Sequence, residues 1–241
     1  MSGYLESQLI ILCLSIIYAY GIFLPAASGQ LNLGAAGFIT LGAYASGWIN
    51  SSDGLGLPLP ISLLLAVLFT GAISFAIAFP ILRTRGVYMV LATFAFAEVV
   101  SGLTINMEFL GAAAGMPVDA HASLIVLVVA AIGVILFSFY FMSTRLGLAL
   151  RSIHDDESVS VLFGVNVRFA KVAAFTAGGM LMGLGGAMYG HHYNYIEAQS
   201  FNVLLSIYIL LYVLLGGTQT AWGPLIGAIF FTVVPELIRN L

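Results

Sequence analysis

The chain has 241 residues, of which 61% are hydrophobic and only 7% charged, with a formal net charge of -3 and a mean hydropathy of +1.09. A soluble domain of this length carries a polar shell, about a quarter of it charged, so the composition excludes one and the chain must be solvated by lipid. The small net charge, with no basic patch holding interleaved aromatics, excludes a nucleic-acid partner.

A spanning helix needs roughly 20 mostly apolar residues. Such runs fall near 8–27, 34–50, 61–82, 86–104, 122–142 and 172–193, followed by an apolar stretch from 203 to 238 that "GGTQTAWGP" at 216–224 interrupts. The fold expected is all-α: a polytopic helical membrane protein of about seven to eight hydrophobic segments, forming one transmembrane domain over residues 1–241. The first run lacks a positively charged lead-in and reads as a retained span rather than a cleaved leader. Its one cysteine, Cys13, reads as a small buried apolar residue.

Two places look like broken or re-entrant helices. "SGQLNLGAAGFITLGAY" (28–44) sets Gln30 and Asn32 among glycines, and "LLGGTQTAWGPLIGA" (214–228) does the same with Thr218, Gln219 and Thr220. Irregular backbone survives at membrane depth only where protein or a water-filled cavity satisfies it, and transporters place solute sites at such breaks. The other reading is a pair of polar turns at the membrane surface. Further on, Gly179, Gly183 and Gly186 share one helical face, a spacing that lets helices approach closely in lipid.

Lys and Arg collect in cytoplasmic connections. Arg83 and Arg85 lie in one loop, and Arg145, Arg151, Arg168 and Lys171 lie in or beside the polar segment 143–171. Two spans separate these loops, so both fall inside and the N-terminus falls outside. The opposite loops carry Asp53, Glu108, Asp119 and Glu197 without Lys or Arg. Arg239 fits the inside only if 203–215 re-enters rather than crosses.

The segment 143–171 holds most of the charge and still has helical pattern. Leu146, Leu150 and Ile153 recur at helical spacing, then Val159, Leu162 and Phe163. Asp155 is the expected cap of the second piece, with Asp156 and Glu157 in its first turn and Gly164 as its left-handed stop. Two amphipathic helices along the cytoplasmic surface would suit docking by a soluble protein; a plain solvated loop is the alternative. His154, Asp155 and Glu157 lack a second ligand cluster, so no metal site is expected, and no cofactor either.

Four blocks, in order, carry a family resemblance. They are "SGQLNLGAAGFITLGAYASG", "GVYMVLATFAFAEVV", "GLALRSIHDDESVSVLFGVNVRFAKVAAFTAGGMLMGLGGAMYG" and "LLGGTQTAWGPLIGAIFFTVVPELIR". Together they resemble the permeases of branched-chain amino acid ABC transporters, of the LivM type rather than the LivH type. The chain departs from the family in three places. Asn32 stands where Ser is usual, and "SIHDDE" stands where "AIRENE" is common. Family members also continue with one more apolar segment, which leaves open a C-terminal truncation.

The resemblance implies an importer subunit forming half of a transmembrane pathway for branched-chain or related amino acids. It implies as partners a second, LivH-like permease subunit, two P-loop ATPase subunits and an extracytoplasmic solute-binding protein, all on a lipid bilayer. It further implies that 147–165 is the coupling segment that docks on the ATPase, with Gly147, Arg151, Asp155, Asp156, Glu157 and Gly164 as coupling residues. The chain contains no G-x-x-x-x-G-K-[ST], so the energy must enter from another subunit.

Glu98 lies inside an apolar run. An ionisable group there faces the bundle interior or a cavity; it either lines the pathway, meeting the ammonium of an amino acid, or bonds a neighbouring helix. Gln30, Asn32 and Thr93 are further pathway candidates. His191 and His192 point in different directions on a helix and read as interfacial. Rival functions are an intramembrane enzyme, for which no G-x-S-x-G or H-E-x-x-H is present, a passive channel, and an importer of urea or short amides.

Overall fold

The computed structural model describes residues 2–52, 54–84 and 86–239. Asp53 and Arg85, which entered the charge argument, lie outside the described residues, as does the side chain of Arg239. The helices are α1 (Ser2–Ala26), α2 (Ala35–Asn50), α3 (Leu59–Ile81), α4 (Val87–Asn106), α5 (Leu124–Ser143), α6 (Arg145–Asp155), α7 (Glu157–Leu162), α8 (Val167–Tyr193), α9 (Val203–Gly216) and α10 (Trp222–Arg239). Among the described residues, strand is confined to Met116–Pro117 paired antiparallel with Tyr195–Ile196.

Among the described residues, six helices are long and apolar enough to cross a membrane: those in α1, α3, α4, α5 and α8, and the run Ala198–Gly216 that includes α9. With α2 and the shorter apolar helix Trp222–Glu236, the chain is a polytopic helical membrane protein. The 16 residues of α2 reach only about 24 Å, short of the roughly 30 Å hydrocarbon core of a bilayer.

α1 and α8 form the centre and the other helices wrap them. Apolar side chains gain nothing over lipid by meeting one another, so close approach has to come from small residues. α8 supplies them on several sides. A Cβ on Gly178 would run into the Gly21 carbonyl of α1, one on Gly186 into the Ile39 carbonyl of α2, and one on Gly179 or Gly183 into Ser74 or Thr70 of α3. The face formed by Gly179, Gly183 and Gly186 is therefore packed within the chain. Ser74 Oγ adds a bond to the Phe175 carbonyl at 3.0 Å, linking α3 to α8.

The end away from the basic loops is fastened by histidines. His191 is fully buried; its Nε2 lies 2.6 Å from Ser46 Oγ and its Nδ1 lies 3.0 Å from the Ala120 carbonyl. His192 Nδ1 lies 2.9 Å from the Ala122 carbonyl, and His121 Nδ1 lies 2.8 Å from Asn194 Oδ1. The two neighbours on α8 do diverge, but His191 is a core residue and not an interfacial one. The connection before α5 folds back over the end of α8 and supplies backbone carbonyls there.

α9 and α10 form a hairpin turned at 217–221. Tyr20 OH donates to the Ala221 carbonyl at 2.8 Å, low on α1, and Gln8 Nε2 donates to Glu236 Oε2 at 3.1 Å, near the start of α1. α10 therefore runs back toward the side on which α1 begins. The arrangement in which 203–215 re-enters and Arg239 falls on the basic side is not the one adopted.

Candidate functional site

α1 ends after Pro25, and the chain runs without helix from residue 30 to 34 before α2 starts. The first N–H groups of a helix have no partner within it, and at this depth water cannot serve them. Side chains from separate elements do. Asn32 Oδ1 accepts from Gly34 N at 2.7 Å. Thr93 Oγ1, on α4, accepts from Leu33 N at 3.0 Å and donates to the Val90 carbonyl. Ser206 Oγ, on α9, accepts from Ala36 N at 2.8 Å. The break at 28–34 is thus a built interruption, and Asn32 and Thr93, both fully buried, serve to hold it.

The second break is different. Gln219 and Thr220 are exposed, and its long-range anchors include Tyr20 on α1, bonded to Ala221, and Phe139 on α5, packed against Trp222.

At the basic end, Thr144 caps α6 and Gly147 is buried in the corner between α5 and α6, where a Cβ would run into the backbone of Met142. The apolar stripe is real: Leu150 and Ile153 are buried and Leu146 is half-buried. Arg151 is half-buried; its Nε and His154 Nδ1, one turn on, are buried without a hydrogen-bond partner among the described residues.

α6 extends one residue past expectation, through Asp155, and the extended residue that caps α7 is Asp156, not Asp155. Asp156 Oδ1 accepts from Ser158 N at 2.8 Å and from Val159 N at 3.0 Å, leaving Glu157 as the acidic residue of the first turn. Asp155 is exposed. α7 closes as expected: Gly164 has φ +82, its N–H reaches the Val161 carbonyl at 3.0 Å, and Val165 N reaches the Ser160 carbonyl at 3.1 Å. This paired closure is a Schellman stop. Ser160 Oγ donates to Ser152 Oγ at 3.1 Å, tying α7 to α6.

The second apolar set does not face inward. Leu162 and Phe163 are 85% and 84% exposed, and Leu148 and Val161 are exposed beside them. α7 ends in an exposed apolar knob at the basic end. The helical spacing gave the face but not its direction.

Two bonds join this element to the break. Lys171 Nζ, on α8, lies 2.8 Å from Glu157 Oε2 on α7, and Gln30 Nε2 donates to the Lys171 carbonyl at 3.3 Å and to Ser28 Oγ at 2.7 Å. The first residue of α7, the first turns of α8 and the break thus form one connected unit. Lys171 was legible only as a basic residue of the loop; its bridging role depends on a contact 141 residues apart.

Glu98 falls outside this cluster. It is exposed on the outer face of α4, between the exposed small residues Ala95 and Gly102, while Met89, Thr93, Ala97 and Val100 face inward. The expectation that it faces the interior of this chain's own bundle does not hold, because Thr93 and Ala97 take the turns that pack on α2.

The family described as "Branched-chain amino acid transport system / permease component" matches residues 4–241. The chain belongs to this family. It is 28% identical over 251 residues to the high-affinity branched-chain amino acid transport system permease protein LivM of Escherichia coli (strain K12), covering 88% of this chain and 58% of that one. The LivM protein of Salmonella typhimurium is 27% identical over 249 residues, with the same coverage. The nucleoside ABC transporter permease protein NupB of Lactococcus lactis subsp. cremoris is 28% identical over 110 residues, 45% of this chain and 30% of that one. This chain spans less than two thirds of the length of the LivM relatives. No solved structure matches. Spanning helices and family together make this a multi-pass membrane protein of the permease family.

Proposed function

We propose that the chain is the permease subunit of an ATP-driven importer, forming half of the pathway for branched-chain or related amino acids. The observation that carries this reading is the link Glu157–Lys171–Gln30, which ties a surface element at the basic end to a built break in the membrane. A passive channel needs no such transmission. The apolar knob of Leu162 and Phe163 is the surface offered to a cytosolic ATPase, and Asp155, Asp156, Glu157 and Arg151 frame it. Gly147 and Gly164 shape the two turns that present it. A nucleotide-driven push on α7 then reaches the break through Lys171 and shifts the balance between two states of the membrane helices.

Glu98 belongs to the pathway in this reading. A carboxylate in the middle of a spanning helix is costly against lipid, so the outer face of α4 is the one covered by the second permease subunit. Between the two subunits, flanked by Ala95 and Gly102, Glu98 meets the ammonium of the solute. Gln30 lies at the basic end of the route, and Asn32 and Thr93 hold the break that borders it. The NupB relative favours a second solute class, nucleosides, which lack an ammonium and would not need Glu98.

Gentle purification of the tagged chain from its own membranes tests the assembly. Recovery with a P-loop ATPase and a second multi-span subunit is expected, together with uptake of radiolabelled leucine by reconstituted vesicles; isolation alone in several detergents would count against it.

A further inference from the structure

The break, the α6–α7 junction, the end of α3 and the start of α8 line an open-mouthed cavity of about 690 Å³ at the basic end. Small-molecule sites commonly run from roughly 300 to 1,000 Å³. The lining separates by chemistry. Phe79, Met89, Ile153 and Val172 give an apolar wall; Arg83 and Arg168 give positive charge; Asp155 gives a carboxylate, while the other charged lining groups are engaged, Lys171 with Glu157 and Asp156 as the cap of α7. Arg168 is held with its guanidinium carbon 5.5 Å from the centre of the Phe79 ring.

Gln30 is the telling residue. It lines the cavity yet is only 2% exposed. Its amide nitrogen donates to the Lys171 carbonyl and to Ser28 Oγ; Oε1 has no partner among the described residues and almost no surface open to the cavity, so a ligand reaches it once the side chain turns. His154 Nδ1, set beside Gly29 of the break, is also buried without one. A buried acceptor left unmet costs about 1–3 kcal/mol, a cost that a bound donor removes.

We propose that this cavity is a cytosol-facing site for a small zwitterion with an apolar side chain, an amino acid in its ordinary ionic form. Its ammonium is met by Gln30 Oε1 and Asp155, its carboxylate by Arg83 and Arg168, and its side chain by the wall of Phe79, Met89 and Val172. A ligand seated there touches the break and the start of α7 at once. It holds the two together and so slows import as cytosolic amino acid accumulates. The binding stands on the cavity alone; the effect on import rests on the proposed function.

The test labels the cavity without relying on transport. Thr84→Cys places a thiol on its lining, and the native Cys13 is buried. Inside-out vesicles holding the whole assembly are treated with a small maleimide in the presence of L-leucine, of leucinol, which lacks the carboxylate, or of 4-methylpentanoate, which lacks the ammonium. With leucine at roughly ten times a millimolar dissociation constant, labelling slows about tenfold. The other two compounds leave it unchanged, and adding Arg83→Gln with Arg168→Gln removes the protection by leucine. Equal labelling with and without leucine, equal protection by leucinol or 4-methylpentanoate, or protection that survives loss of both arginines would each overturn the site. Loss of leucine uptake in the same vesicles, with protection intact, would instead count against the transport reading.

Discussion

Single residues in this chain divide into those that set distance and those that carry charge. Gly42 sets distance: a Cβ there would run into the backbone of Gly183. Backbone on both sides leaves nothing flexible to yield, so Gly42→Val should cost about 1–3 kcal/mol or more, read as a lower unfolding temperature in detergent. Glu157 carries charge. Its side chain is 39% exposed and that of Lys171 20%, so the pair contributes under about 1 kcal/mol to stability. Glu157→Lys should therefore leave unfolding nearly unchanged while solute no longer stimulates ATP hydrolysis by the assembly; a parallel loss of both would mean that the pair is only structural. Glu98→Gln keeps the size and removes the charge. Uptake of leucine should fall by about tenfold or more, the effect of losing about 1.4 kcal/mol of binding, with subunit assembly retained. Unchanged uptake would remove Glu98 from the pathway.

At the scale of elements, α7 is short, at six residues, and is held by its ends: Asp156 at the start, Gly164 at the stop and Ser160 against Ser152. A side chain at φ +82 costs of order 1–3 kcal/mol, more than a helix this short can absorb. Gly164→Val should thus loosen α7 and uncouple transport while the membrane helices unfold as before. Leu162→Asp with Phe163→Asp changes no internal packing, since both side chains are exposed, and should weaken recovery of the ATPase on a tagged chain. Recovery at the unmodified level would argue that the knob faces something else. The sequence pattern located α6, α7 and the Gly164 stop because caps and left-handed stops are local chemistry. It misplaced the cap by one residue because Asp155 and Asp156 are both competent and only the length of α6 chooses between them. It left the direction of Leu162 and Phe163 open because periodicity states which residues share a face and not what covers that face.

For the whole molecule, the number of apolar segments and the grouping of charge at one end were legible from hydropathy and Lys/Arg placement alone, since lipid imposes both. Three features were not. α2 starts only at Ala35 because Asn32, Thr93 and Ser206, far apart in sequence, converge on the N–H groups of Leu33, Gly34 and Ala36. The α9–α10 hairpin returns to the side of the N-terminus through contacts of Tyr20 and Gln8 that no local signal marks. Glu98 faces outward because Thr93 and Ala97 take the turns of α4 that pack on α2. These are long-range facts, and the function proposed from them places the ATPase against α7. Site-specific crosslinking tests that placement most directly. Ser158 is exposed on α7 and Cys13 is buried, so Ser158→Cys supplies one accessible thiol. In native membranes a short bifunctional reagent at this position should capture a P-loop ATPase subunit, with the yield changing when nucleotide is added. Capture of no soluble protein, or only of another membrane subunit, would contradict the account.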